Sequence, residues 1–284
     1  MKKYFLLISA IVIFGNSTLK LNAQTSFEPF APDGIPFVVS DSDFLPDMKG
    51  NHRAVVRINI SNLDAVVATI PWRRPNLRPE TKKVVVYGIR TGKEVLNVKV
   101  LEFSSEKGKI AFQPQAGETG YYVYYLPYKF RRNWDDARYG KPWNDYLAPD
   151  YTADPKWVAS VEKNKAKLSE AKVERIESRS EFDAFTSIGL IATQKEISSV
   201  LEKHKDDYLV YTEDRTFPIR LPYTIPARWA KKTPSLSFEG IASKNEYFTW
   251  QIGLWAVKTD VKNVRVTFSD FTSGSNKISK DSIT

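Results

Sequence analysis

The sequence predicts a mainly β protein, built of antiparallel β-sandwich domains with a small helical segment between them. Residues 56–60, VRINI, alternate apolar and polar side chains as a half-buried strand does. Further strand patterns lie at 84–87, 96–101 and 110–112, and Thr91-Gly92 and Lys107-Gly108 between them are typical of hairpin turns. Only two convincing helix starts interrupt this β pattern.

Those two helix starts lie in the middle of the chain. Asp154-Pro155 combines an N-cap residue with proline at the first helical position, and Thr193 and Glu196 form a capping box. We expect helices at about 155–168 and 194–203, and a strand at 173–176 between them.

Strand patterns return after the second helix, at 208–212, 248–256 and 264–268. In 248–256 the alternate apolar residues would share one face, and in 264–268 Val264, Val266 and Phe268 would do the same. The last two strand patterns predict an antiparallel sheet with one face covered and the other exposed to solvent. Such a sandwich looks unfinished, because exposed sheet edges are normally paired or covered.

The N-terminus predicts a secretory signal peptide. Lys2 and Lys3 precede an apolar run from Phe5 to Phe14, which is too short to span a bilayer, and cleavage is expected after Ala23. We therefore expect a periplasmic or extracellular protein that is not inserted in the membrane after cleavage; an uncleaved N-terminal anchor is the alternative. The predicted domain order is a signal peptide at 1–23, a first β-sandwich domain at 24–152, a mixed helical and strand connecting segment at 153–206 and a second, incomplete β-sandwich portion at 207–284.

Composition argues against several classes of function. The chain has no cysteine, so neither disulfides nor a lipid-anchored cysteine can form. Its 42 basic and 33 acidic residues give a net charge of +9, but the basic clusters are short and lie close to acidic residues. Because a nucleic-acid-binding protein gathers its positive charge on one face, we expect no nucleic-acid partner.

Few residues have the chemistry of a catalytic or metal site. His52 and His204 are the only histidines, there is no G-x-S-x-G or glycine-rich phosphate motif, and Asp41, Asp43 and Asp47 resemble a calcium loop only loosely. We therefore expect no metal, no cofactor and no catalytic residue assignable from the sequence. The adjacent acids Glu213 and Asp214 are interpreted as a structural pair, held by the nearby Arg215 and Arg220.

An aromatic stretch at 120–151 divides at Pro127. Residues 121–126, YYVYYL, are apolar on both faces and predict a covered strand whose tyrosines belong to the core. Beyond it, Trp134, Asp135, Tyr139 and Trp143 lie in an irregular polar segment that predicts a long loop. These four residues either pin that loop at a domain interface or contact a glycan.

Two pairs of passages carry a resemblance to a known family. They are TEDRTFPIRLPYTIPARW (212–229) with FEGIASKNEYFTWQIGLWAVKTDVKNVRVTFSDF (238–271), and IPWRRPNLRPETKKVVVYGI (70–89) with AGETGYYVYYLPY (116–128). Together they resemble the N-terminal β-sandwich region of glycoside hydrolase family 123 proteins and their relatives in Bacteroidetes.

The resemblance implies a function and also an absence. Members of the family act as β-N-acetylgalactosaminidases, with an adjacent Asp-Glu pair on a (β/α)₈ barrel that assists attack by the substrate's 2-acetamido group. This sequence contains no Asp-Glu dipeptide. The resemblance thus predicts a non-catalytic region, truncated before its catalytic barrel, with that barrel as partner. A free-standing carbohydrate-binding module and an autonomous hydrolase remain the alternatives.

Overall fold

A computed structural model describes residues 30–44, 50–59, 63–130, 144–243 and 245–282. Of these described residues, 31% are in strands and 16% in helices, so the protein is mainly β and the predicted fold class is confirmed. No helix in these described ranges is long and apolar enough to cross a membrane. The predicted signal peptide lies outside them.

The strands are β1 (Phe37–Val39), β2 (His52–Arg57), β3 (Val66–Ile70), β4 (Val84–Gly88), β5 (Val98–Phe103), β6 (Gly108–Phe112), β7 (Gly120–Tyr125), β8 (Tyr128–Phe130), β9 (Asn144–Tyr146), β10 (Ser169–Ser178), β11 (Tyr208–Asp214), β12 (Trp250–Ala256), β13 (Phe271–Ser273) and β14 (Asn276–Ile278). The helices are α1 (Pro155–Asn164), α2 (Gln194–Lys203) and α3 (Ala227–Lys231). Short 3₁₀ turns lie at Pro79–Thr81, Lys165–Lys167, Glu181–Asp183 and Lys280–Ser282.

Strand β10 joins two sheets into one sandwich. Its residues 172–178 pair antiparallel with β2, in a sheet that continues through β7 to β4, and its residues 169–171 pair parallel with β3, which continues through β6 to β5. The register shifts between Val173 and Arg175, and such an irregularity bends a strand. β10 can therefore leave one sheet and enter the other. It lies in the predicted connecting segment 153–206, although its pairing is with the sandwich.

The core lies between the two sheets and is built from alternate side chains of both. Tyr121, Val123 and Tyr125 of β7 are fully buried in it, opposite Ile110 and Phe112 of β6. This alternation is what a strand supplies when one of its faces is covered by a second sheet. The prediction that the tyrosines of this strand are core is confirmed for Tyr121, Tyr124 and Tyr125, which are fully buried, whereas Tyr122 is half-buried.

The outer face of the β2 sheet carries a buried ion pair. Arg53 donates from Nε to Glu177 Oε2 at 2.6 Å and from Nη1 to the Tyr124 hydroxyl at 3.1 Å. Its Nη2 atom donates to the Ser40 hydroxyl at 2.8 Å, and its guanidinium lies 3.7 Å from the ring centre of Tyr122. The charge is thus fully partnered out of water, which is the condition for tolerating a buried arginine.

Helix α1 covers the outer face of the other sheet. The Asp154 carboxylate accepts from the Lys156 and Trp157 backbone N–H groups, as its predicted N-cap role requires. Trp157 and Val161 pack on Ala111 of β6, and the Trp157 indole donates to the Asp64 carbonyl at 2.7 Å. The helix ends at Asn164, and a 3₁₀ turn continues over 165–167.

Gly108 serves close packing rather than the turn that Lys107-Gly108 predicts. A Cβ atom at Gly108 would lie 2.0 Å from the Trp72 ring, and the turn itself precedes it, closed by the Ser104 N–H donating to the Lys107 carbonyl at 2.9 Å. Gly92, by contrast, has φ 62° and occupies the predicted turn. Glycine is therefore required at 108 because the Trp72 ring lies directly against its backbone.

The second β unit consists of β11, β12, α2 and α3 around a smaller core. Tyr211 stacks on Trp229 with ring centres 4.3 Å apart, and Trp229 lies so close to β12 that a Cβ on Gly253 would be 2.4 Å away. The face of β12 that packs here carries Gly253 and Trp255.

The prediction of which face of β12 is covered was wrong. Ile252 and Leu254, expected on a core face, are exposed, and residues 264–268 form no strand. Alternation predicted the wrong face because both faces of β12 carry apolar side chains, so the period alone does not decide which one packs. Val264, Val266 and Phe268 lie exposed beside it.

His52 lies in a buried corner of the sandwich. Its ring Nε2 is 2.7 Å from the Asp183 carbonyl, so this nitrogen carries the proton and donates, and Nδ1 has no hydrogen-bond partner among the described residues. Tyr125 and Phe185 flank the ring. Burial, and then the positive charge of Arg74, lower the pKa of His52 well below its usual value of 6.5.

We expect this histidine to make stability depend on pH between about 7 and 5.5. As the pH falls through 6.5, His52 becomes protonated in the unfolded chain but stays neutral in the folded protein. The free energy of unfolding therefore falls, by up to about 1.4 kcal/mol per pH unit. Urea midpoints measured across this range should fall for the wild type and for His204→Gln, and stay nearly level for His52→Gln. A level wild-type profile would contradict the prediction.

Candidate functional site

The candidate site is a cleft of about 690 Å³ between the sandwich and the second β unit. Two sandwich loops, at 75–77 and 102–107, form one wall, and residues 191–194 and 220–224 form the other. These four segments are far apart in the sequence, and the packing of the two units brings them together.

Arg73 attaches the sandwich to the second unit through Ile191, which lines this cleft. It is 2% exposed, donates from Nε to the Ile191 carbonyl at 2.9 Å, and forms ion pairs with Asp33 at 3.3 Å and with Glu196. Glu196 also completes the α2 capping box with Thr193. One arginine therefore connects the sandwich to the first turn of α2.

The backbone of Arg73 is itself strained. Its φ is 43°, in the left-handed region that a non-glycine residue enters at a cost of about 1–3 kcal/mol. The three contacts of its guanidinium offset that cost. A second connection lies close by, where the Glu106 carboxylate accepts from the Gln194 N–H at 3.1 Å.

The cleft walls offer apolar surface and polar side chains that have no partner among the described residues. Leu77 and Tyr223 are largely exposed, at 62% and 77%. The side chains of Asn76, Gln194 and Arg220 make no hydrogen bond or ion pair with the part of the chain that the structure describes. A ligand in the cleft would therefore find both an aromatic surface and free hydrogen-bonding groups.

The charges that line the cleft balance. Glu102 pairs with Lys107 at 3.3 Å, Glu106 is held by the α2 N-terminus, and Arg220 supplies the second positive charge. Two acids and two bases give the cleft no net charge, and its electrostatics favour neither an anion nor a cation.

The acids Glu213 and Asp214 lie outside this cleft. Glu213 is buried and accepts from the Trp229 indole at 2.6 Å and from Arg228 Nε at 3.0 Å, so Arg228 contacts it rather than Arg215 or Arg220. Asp214 is half-buried, and hydrogen bonds from the Thr216 backbone and hydroxyl hold its pKa below the usual value. That the two act as a structural pair stays a prediction.

The other buried carboxylates are likewise used as acceptors. Glu118 accepts from the backbone N–H groups of Arg90, Thr91 and Gly120, at 3.0, 3.1 and 3.2 Å, and Glu177 holds Arg53. Neither lines the cleft. Over the described ranges no three His, Cys, Asp or Glu side chains come together as metal ligands would.

The predicted glycan-contact or interface residues Trp134, Asp135, Tyr139 and Trp143 all lie outside the described residues. Tyr146, at the end of the same stretch, is in β9, packs on the sandwich core and lies beneath the Lys82 ammonium, 4.3 Å from its ring centre. The cleft residues were not singled out as a site from the sequence. The sequence feature that could have drawn attention to them is the prolines at 71, 75, 218 and 222, which lie in or beside two of the cleft segments.

Residues 42–179 match the family model described as glycoside hydrolase 123, N-terminal domain. These residues are a glycoside hydrolase 123 N-terminal domain. The domain begins before β2 and ends one residue after β10, so it contains the whole sandwich except β1. The match relates this part of the chain to glycoside hydrolases.

The match covers half of the predicted resemblance. The passages at 70–89 and 116–128 lie within it, whereas those at 212–229 and 238–271 lie in the second β unit, beyond residue 179. Searches of curated proteins and of solved structures gave no match. In the glycoside hydrolase 123 N-terminal domain, the loops at 75–77 and 102–107 supply one wall of the cleft.

Proposed function

We propose that this chain is the non-catalytic N-terminal β-sandwich region of a secreted glycoside hydrolase that acts on β-linked N-acetylhexosamine glycans. In this proposal it supports a catalytic (β/α)₈ barrel that the chain does not contain. The observation that carries the proposal is the match of residues 42–179 to the family's N-terminal domain. The predicted signal peptide at 1–23 supports secretion into the periplasm or the exterior.

The contacts that the carboxylates make support a non-catalytic role. Glycoside hydrolysis needs two carboxyl groups that face the scissile bond from an open site. Glu118, Glu177 and Glu213 are buried acceptors of structural hydrogen bonds, and the sequence has no Asp-Glu dipeptide. Glu102 and Glu106 line the cleft, but one is paired with a lysine and the other is bound to the start of α2.

The exposed apolar face of the second unit supports the presence of a neighbouring domain. Ile252 and Leu254 of β12, with Val264, Val266 and Phe268 beside them, line one open depression. A contiguous apolar surface of this kind is typical of a protein–protein contact. The barrel is the partner that we propose for it.

We expect the mature chain to show no turnover of aryl β-N-acetylgalactosaminides or glucosaminides above the buffer rate, because the buried and cleft-lining glutamates of the described residues are all held in structural contacts. Release of the aryl alcohol, followed by absorbance, measures this. Turnover that is lost in Glu102→Gln or Glu106→Gln, or in the Glu213→Gln, Asp214→Asn double variant, would contradict the proposal and favour an autonomous hydrolase.

A second experiment tests the barrel itself. The gene should be sequenced past codon 284, and any continuation or shifted frame expressed together with this chain. We expect the longer product to contain an Asp-Glu pair and to hydrolyse the same substrates. A gene with no barrel downstream, in any frame, would contradict the proposal and favour the free-standing carbohydrate-binding module.

A further inference from the structure

The cleft between the two β units has the size and position of a small-molecule site. Its volume of about 690 Å³ lies within the range of about 300–1,000 Å³ that such sites occupy, and they form preferentially where two units meet. Arg73 and Glu106 of the sandwich bind Ile191 and Gln194 on the facing wall, so protein contacts alone hold these two sides of the cleft together. A preformed site binds without first having to order its walls.

The cleft surface combines features that recognise a sugar ring. One face of a pyranose presents C–H bonds, which pack on an aromatic ring, and Tyr223 offers a ring in a residue that is 77% exposed. The hydroxyl groups of a sugar need planar donors and acceptors, and Asn76, Gln194 and Arg220 have such groups with no partner in the described chain. Leu77 on the facing wall adds an apolar contact for a methyl group.

The balance of charge narrows the class of ligand. Glu102 and Glu106 offset Lys107 and Arg220, so a charged ligand gains no net attraction from the cleft and pays the cost of losing its water shell. The desolvation cost of a neutral, hydroxyl-rich ligand is much smaller, so the cleft favours a ligand of this kind.

We propose that this cleft binds a neutral glycan, of the N-acetylhexosamine class that the proposed function implies, with Tyr223 stacking on a sugar ring and Arg220 donating to its oxygens. The inference rests on the proposed function for the identity of the sugar, and on the geometry of the cleft for its location. Because both units contribute a wall, a bound glycan connects the glycoside hydrolase 123 N-terminal domain to the second unit.

Calorimetric titration of the whole chain with neutral N-acetylhexosamine oligosaccharides tests the proposal. We expect saturable binding that weakens at least tenfold in Tyr223→Ala and severalfold in Arg220→Gln. Tyr247→Ala is the matched control, since Tyr247 is 96% exposed and lies outside the cleft, and it should bind as the wild type does. Thermal unfolding should shift upward with glycan in the wild type and not in Tyr223→Ala.

Other outcomes overturn the proposal in distinguishable ways. Binding that survives Tyr223→Ala but is lost in Trp134→Ala or Trp143→Ala would move the site to the aromatic loop. Absence of binding to any neutral glycan would remove the site altogether, and activity of the longer gene product would then show that the proposed function stands without it. Binding only to a neutral glycan without N-acetyl groups would retain the cleft and reject the proposed substrate class.

Discussion

Replacement of Glu177 with alanine should lower the free energy of unfolding by about 3–5 kcal/mol, the cost of leaving one partner of a buried ion pair uncompensated. Glu177 is 1% exposed and binds Arg53 at 2.6 Å and Arg175 at 2.7 Å. With the carboxylate removed, the Arg53 charge stays out of water with only neutral acceptors. Urea unfolding followed by tryptophan fluorescence measures the loss.

The same two strands provide a matched control. Glu174 of β10 pairs with Arg57 of β2 at 3.1 Å, but these side chains are 32% and 43% exposed. Glu174→Ala should therefore cost only about 0–1 kcal/mol, as exposed pairs do. The double variant Arg53→Met, Glu177→Leu should recover part of the loss because no unpaired buried charge remains; Arg175, which also loses its partner, is 35% exposed. An effect of Glu177→Ala no larger than that of Glu174→Ala would contradict this assignment.

Trp72→Ala should also cost about 3–5 kcal/mol, the usual range for deleting a large buried aromatic side chain. Trp72 is 1% exposed, stacks on Tyr125 with ring centres 4.7 Å apart, and its indole donates to the Ser104 carbonyl at 2.8 Å. Gly108, which lies directly against this ring, has no side chain that could move into the space that alanine leaves.

Two further variants separate packing from hydrogen bonding at this position. Trp72→Phe keeps a ring but leaves the Ser104 carbonyl without its donor, so it should cost about 1–3 kcal/mol. Leu96→Ala, at a residue that is 65% exposed, should stay within about 0.5 kcal/mol of the wild type. Since Ser104 lines the cleft, Trp72→Ala should also weaken glycan binding. Equal effects of Trp72→Ala and Leu96→Ala would contradict the core role of Trp72.

Features that depend on near neighbours in the chain were predictable from the sequence. The Asp154 cap and the Thr193 capping box involve hydrogen bonds over three residues, and both form as expected. The covered strand at 120–125 was likewise readable, because apolar side chains on both faces demand cover wherever the strand lies. The mainly β class follows from these local patterns.

Pairing between distant strands was not predictable in the same way. β10 connects the two sheets through contacts with residues more than a hundred positions away, and its alternation does not state its partners. Tyr122 and Tyr124 look equivalent in the sequence, yet Tyr124 is fully buried whereas Tyr122 is half-buried over Arg53. The packed face of β12 depended in the same way on where Trp229 lies.

The β class, the helix starts and the resemblance of residues 42–179 to the glycoside hydrolase 123 N-terminal domain could all be predicted from the sequence. Two features could be seen only in the tertiary structure. Arg73 attaches α2 to the sandwich, and Tyr223 and Arg220 lie across a cleft from the loops at 75–77 and 102–107. The difference comes from how far apart in the sequence the interacting residues lie. Caps and strand alternation act between neighbours in the chain, whereas a cleft exists only after two units have packed.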